Sequence, residues 1–291
     1  MESFLDFHRK SLQTYQHCFV IFCCLSIVLV NIANLVFHFR GPAKNNRYGM
    51  LIALMGSFIL YGCMNITSVS IRMLPWSTLI SIFIDNRMFL FVLVTPYVSQ
   101  QVVSISGCFL AFERVLIMCY PVKYSFHKMN LKTLFTSALV NSVVIILFLV
   151  LIFVPHRSIS IFSKLSIPQY YVLSPTLLIE SGFYCVFLVL FRHYMRRQVN
   201  NQMKKQTVQT NHIVFFQTIS HTLLCAIPHS LATFGVLING SRVQWVRVIE
   251  AFEEPLFALS ILLASAFTFI KLKPKKKSVK TVISLTAINH N

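Results

Sequence analysis

Glu113 and Arg114 stand side by side in AFERVLIMCYP (111–121), inside a stretch that otherwise avoids charge. From Met88 to Phe112 there is no Asp, Glu, Lys or Arg. An acid beside a base at such a place has two chemical uses. Arg114 can snorkel its head to lipid phosphates as an ordinary basic residue at a membrane face. Alternatively, the pair can form a charged latch that holds helix ends together. Glu180, His221, His229, Glu250, Glu253 and Glu254 are further titratable residues set in apolar surroundings. Groups of this kind are candidates for a ligand cavity, or for a proton or ion path. Each can also simply pair with a neighbour or sit near the headgroups, which suits Glu250. His221 reads as a packed, hydrogen-bonded histidine.

Other chemistry has little to build on. The sequence holds no nucleophile elbow, no His-Glu-x-x-His zinc motif and no Walker loop. No paired Asp motif suits an intramembrane protease, so an enzyme is not expected, and neither is a cofactor or a metal. The eight cysteines fall in or at the edges of apolar runs. Their spacing matches no zinc pattern, and they read as small apolar residues packing between helices. Two glycosylation sequons occur, Asn65-Ile-Thr67 and Asn239-Gly-Ser241. The first falls close to the membrane, and Asn239 falls in an expected outer loop.

The elements that must position these groups follow from composition. Of 291 residues, 56% are hydrophobic and 12% charged, with 27 Phe and only 8 Gly. So much apolar surface calls for bilayer as the solvent. Seven apolar runs have the length that spans a hydrocarbon core: about Gln16–Phe39, Tyr48–Ile71, Met88–Tyr120, Thr133–Pro155, Tyr170–Phe191, Ile213–Ile238 and Val246–Ile270. Lipid offers no partner to an unpaired peptide group, so these runs are expected to be helices. Thr95-Pro96 marks either a helix start or a kink in the third.

The net charge of +18 would suggest a nucleic-acid partner in a soluble protein, but the positions of the charges speak otherwise. Of the 26 Lys and Arg residues, 18 fall in alternate gaps (first, third and fifth loops and tail) and eight in the others. Basic residues collect on the cytoplasmic side, so the N-terminus is expected outside and the tail inside. The expected fold is an all-α membrane protein, a seven-transmembrane helix bundle. Residues 1–15 form an extracellular N-terminus, 16–270 the helical domain and 271–291 a basic cytoplasmic tail held near anionic lipid. The first apolar run is too long for a signal-peptide core and is expected to be retained.

Depth along the helices suggests a site. Glu180 lies ten residues in from Tyr170, about 15 Å at 1.5 Å per residue. His229 falls in the outer half of helix six, and Glu253 and Glu254 in the outer half of helix seven. Glu180 and either Glu253 or Glu254 are expected to face one cavity. Adjacent helical residues diverge, so at most one of Glu253 and Glu254 is expected to line it. Phe183, Tyr184, Phe252 and Phe257 lie nearby in sequence. A carboxylate among aromatic rings can hold an amine through charge and cation–π attraction, with a buried neutral carboxylic acid as the competing state.

The order of these features resembles the rhodopsin-like G protein-coupled receptors. Glu113-Arg114 ends helix three, and Tyr120-Pro121 follows, as in that family's Asp/Glu-Arg-Tyr motif and inner-loop proline. Cys225-Ala-Ile-Pro228 is similar to its helix-six Cys-Trp-x-Pro, and Asn34 to its helix-one asparagine. Helix two has no Asp, helix seven has no Asn-Pro-x-x-Tyr, Val115 replaces the motif Tyr, and no cysteine pair joins helix three to the second outer loop. The stretch LAFERVLIMCYPVKYSFHK resembles the nematode serpentine chemoreceptors, most nearly class BC, as does Asn211-His212 through Ile227-Pro228-His229-Ser230. That resemblance implies a multi-pass plasma-membrane receptor in the cilia of sensory neurons. Its partners would be a small odorant or pheromone-like ligand and a heterotrimeric G protein. Glu113, Arg114, Tyr120 and Pro121 would then serve coupling, and Cys225 and Pro228 a helix-six switch. Glu180, His229, Glu253 and Glu254 are the candidate ligand residues. The rival reading is a secondary transporter or ion channel that uses the intramembrane Glu and His residues. Against it, no paired Gly/Pro breaks or related halves stand out.

Overall fold

The computed structural model describes residues 2–40, 49–74, 86–120, 124, 128–153, 160–197, 203–239 and 244–272. Among these residues every regular element is helical and there is no strand. The helices are α1 (Glu2–Arg40), α2 (Gly49–Arg72), α3 (Asn86–Cys119), α4 (Met129–Phe153) and α5 (Ser160–Arg197), then α6 and α7 (Gln244–Leu272). Three consecutive pieces make up α6: Met203–His221, a π turn over Thr222–Ala226, and Ile227–Asn239. Among the described residues six helices are long and apolar enough to cross a membrane: α1 to α5 and α7. The expected run Ile213–Ile238 lies on α6, which the π turn divides, and neither part reaches that length and apolarity alone. The chain is an all-α, multi-pass membrane protein.

The bundle carries apolar side chains on its outside and, within its apolar core, several buried polar groups. On α4, Leu131, Phe135, Leu139, Val143, Ile146, Leu147 and Val150 are exposed, while Asn31, Asn34, Asn65 and Glu113 are wholly buried inside. Lipid accepts the first set at no cost, and the second set needs partners. Those partners cross between helices. The Asn31 side-chain amide donates to Ser265 Oγ at 2.7 Å and that of Asn34 to the Ser265 carbonyl at 3.1 Å, joining α1 to α7. Asn65 donates to Ser99 Oγ at 2.8 Å, joining α2 to α3, and Asn141 to Ser106 at 2.9 Å, joining α4 to α3. Accordingly α3 packs against α2, α4 and α5, while α7 closes the ring between α1 and α6. Small residues let backbones approach. A Cβ on Gly62 would sit 2.6 Å from Val28 Cγ2 and 3.0 Å from the Cys24 carbonyl oxygen, so α1 and α2 meet where Gly62 has no side chain.

Two prolines show how the chain manages lost backbone bonds. Pro96 lies inside α3, which begins ten residues earlier at Asn86, so it is not a helix start. Having no N–H, Pro96 cannot bond the Val92 carbonyl one turn back. Ser68 of α2 donates to that carbonyl instead, at 2.8 Å. In α6, Pro228 comes two residues after the π turn, whose end is closed by the Ile227 N–H reaching back to the Thr222 carbonyl. The widened turn relieves the clash of the proline ring with the preceding turn.

Candidate functional site

The acid–base pair of the third helix is closed off. Glu113 is fully buried and Arg114 is 3% exposed, with Arg114 Nη2 3.4 Å from Glu113 Oε2. Neighbours in a helix diverge by about 100°, yet the flexible Arg stem bends back to the adjacent carboxylate. The chain then helps from outside the helix. The Tyr124 N–H bonds the Tyr120 carbonyl at 2.9 Å, a turn that brings the Tyr124 hydroxyl to donate to Glu113 Oε1 at 2.6 Å. Burial pushes the Tyr124 phenol above its ordinary range, and the negative charge of Glu113 pushes it the same way. Tyr124 therefore stays protonated and keeps donating. Tyr120, expected to take part, is exposed, and Pro121 lies outside the described residues. The resemblance of the stretch takes in the spacing Pro121-x-x-Tyr124 but assigns Tyr124 no role, which the structure supplies as a donor to Glu113.

Three further acids, Glu180, Glu253 and Glu254, each meet a different base. Glu180 of α5 faces His221 of α6, Oε2 to Nε2 3.2 Å, and both are buried. Gly107 of α3 makes room there: a Cβ on it would collide with the Glu180 carboxylate and stand 3.2 Å from the Tyr184 hydroxyl. The edge of His221 meets the Phe257 ring at 5.5 Å between centroids. Glu253 of α7 accepts His229 Nδ1 of α6 at 2.6 Å. Glu254 is held by both amino nitrogens of Arg72 at the end of α2, at 2.7 and 3.1 Å. That fork matches carboxylate geometry and binds more strongly than a single bond. Beside the first pair, the Cys225 thiol donates to Ser260 Oγ at 3.1 Å across α6 and α7. The two expected switch residues, Cys225 and Pro228, thus sit within and just after the π turn.

A cavity of about 620 Å³ opens at the end of the bundle away from Arg114. It lies among the N-terminal halves of α1, α3 and α7 and the last turn of α2. Its walls include Gln16, His17, Arg72, Gln100, Phe252, Glu253 and Glu254. Both Glu253 and Glu254 line it, correcting the expectation that only one would. The reason is that α7 is gripped from two sides, Glu253 by α6 and Glu254 by α2. Glu180 does not line this cavity. Its neighbour Gly107 lies seven residues past Gln100 on α3, about 10 Å further along the helix. The pairing of Arg72 with Glu254 was invisible in sequence, because Arg72 read only as an outer-loop basic residue.

Both sequons are now placed or bounded. Asn65 is fully buried and bonded to the Tyr61 carbonyl and Ser99, so it is not a glycan acceptor in this fold. Asn239 ends the last piece of α6, and its side chain and the sequon residues after it lie outside the described residues. Glu250's side chain and residues 273–291 of the basic tail lie outside them too, while Lys271 and Leu272 end α7. All eight cysteines are free thiols. No family model matches the chain, and no curated protein matches it.

Proposed function

We propose that the chain is a seven-helix chemosensory receptor of the rhodopsin-like type, similar to the nematode serpentine receptors. It takes a small molecule at the outer end of the bundle and activates a heterotrimeric G protein at the inner end. The observation that carries this reading is the buried Glu113–Arg114 pair, held by Tyr124 at the end of α3 opposite the cavity. A guanidinium paired with a carboxylate at a helix end is a charge that can change partners. The excess of basic residues in alternate loops agrees with that end being cytoplasmic. With α6 counted as one membrane crossing, seven spans put the N-terminus outside. A ciliary plasma-membrane location follows from the resemblance.

The test is nucleotide exchange on purified G protein, with cell-surface display measured in parallel. Arg114→Ala abolishes stimulated exchange while display is retained, and Glu113→Gln raises basal exchange. Normal stimulated exchange by surface-displayed Arg114→Ala refutes the proposal. The second reading, a transporter or channel, draws on the buried Glu180–His221 pair inside the bundle. Proton or ion flux in liposomes, without G protein activation, would favour it.

A further inference from the structure

We infer that the cavity among α1, α2, α3 and α7 takes an uncharged amphipathic molecule with a head that both donates and accepts hydrogen bonds, such as a primary amide, and not an amine. This deepens the receptor reading and rests on it for its biological meaning.

The case begins with charge. The Arg72 guanidinium has both amino nitrogens engaged by Glu254, and Glu253 receives His229 at 2.6 Å. The carboxylates that a cationic ligand would seek are thus already held by bases of the protein itself. An ammonium head would have to take Glu254 from Arg72 or Glu253 from His229, exchanging one charge pair for another with no net pair gained. A carboxylate head would have to take Arg72 from Glu254 and would likewise gain no net pair.

The wall also carries polar groups with no partner. Gln100 of α3 is 2% exposed, and its Oε1 accepts no hydrogen bond. Gln16 Nε2 of α1 and Arg72 Nε likewise make none. Which end of a glutamine amide is oxygen is assigned from its neighbours. Either assignment leaves an amide group seeking a partner. Buried amides without partners are costly, so a ligand that supplies both a donor and an acceptor gains what the empty site lacks. An alkyl chain suits the rest of the wall, which includes Leu12, Val20, Val92 and Phe252. At about 620 Å³ the space lies within the range of small-molecule sites.

The test uses full-length protein in lipid nanodiscs and three probes of one chain length: hexanamide, hexylamine and hexanoate. Binding is read from the rise in unfolding temperature with probe concentration. Hexanamide is expected to bind about tenfold more tightly than either charged probe, the equivalent of one net hydrogen bond. Gln100→Leu is expected to fold at least as well as the parent, since it removes an orphaned polar group, and to weaken hexanamide binding about tenfold. Gln16→Leu serves the same purpose if Gln100→Leu does not fold. The inference is overturned if hexylamine or hexanoate binds best, if no probe shifts the parent, or if the glutamine variants bind hexanamide unchanged. Binding is read without G protein, so the two ideas fail separately. Hexanamide preference with no exchange activity discards the receptor reading, and exchange activity without that preference discards this one.

Discussion

The two ends of the bundle handle charge in opposite ways. At the end that the proposed topology places inside, Glu113 and Arg114 are adjacent in sequence, sealed from solvent and steadied by a tyrosine eleven residues on. At the end it places outside, Arg72 and Glu254 are 182 residues apart, and their side chains remain 26% and 21% exposed toward the cavity. The inner pair is local chain chemistry, buried wherever α3 is buried. The outer pair exists only because α2 and α7 are brought together, and it keeps water as a fallback partner. A sealed charge pair is costly to break, whereas a half-wet pair is cheap to rearrange. That difference suits a latch at one end and an adaptable wall at the other.

The largest expected effect comes from breaking the sealed pair. Glu113→Ala leaves the Arg114 charge buried without its carboxylate and is expected to destabilise the protein by about 3–5 kcal/mol. Thermal unfolding in nanodiscs measures this, and a loss under 1 kcal/mol would mean that Arg114 escapes to water easily. Next comes Tyr124→Phe, which removes only the hydroxyl. A hydrogen bond to a charged acceptor is worth roughly 1.5–3 kcal/mol, and the same scan reads it. Basal nucleotide exchange should rise in this variant, though less than in Glu113→Gln.

Breaking the outer pair should matter less. Arg72→Met is expected to cost about 1 kcal/mol, since Glu254 can turn to cavity water. The double variant Arg72→Glu with Glu254→Arg should recover most of that loss, and failure to recover would show that the fork's geometry, not its charge, sustains it. A cost for Arg72→Met matching that for Glu113→Ala would erase the contrast between the two ends.

The smallest effect is a pH dependence. The folded Tyr124 phenol lies above its ordinary value of 10.0, so its protonated form belongs to the folded state. Its contribution is complete below that ordinary value and is lost as pH rises toward the folded one, by at most about 1.4 kcal/mol per pH unit. Subtracting the Tyr124→Phe profile from that of the parent isolates this contribution. The difference should be flat between about pH 7 and 9 and shrink above about pH 10. A difference that grew with alkali would contradict the assigned hydrogen bond.

Much of the helical layout was legible before any coordinates. A run such as Thr133–Pro155 can do little else in lipid than form a helix, and α4 spans Met129–Phe153. Helix ends were less legible. The fifth run was expected at Tyr170–Phe191, whereas α5 runs Ser160–Arg197, because a helix continues past the apolar stretch wherever the backbone finds no better partner. The fate of Pro96 was undecidable in sequence, since the Ser68 hydroxyl that rescues its lost bond comes from another helix.

The candidate site divides along the same line. Sequence alone determined that the chain lives in a bilayer, that five of its eight acids fall on α3, α5 and α7, and that Glu113 and Arg114 are neighbours. Those facts depend on composition, length and covalent order. Which base each distant acid meets was decided only by tertiary structure. Glu180 took His221, Glu253 took His229 and Glu254 took Arg72. Each choice depends on the rotation and depth of one helix against another, set by close approaches such as those at Gly62 and Gly107. A rotation of one residue turns a helical side chain by about 100°, so no linear pattern could have placed those partners.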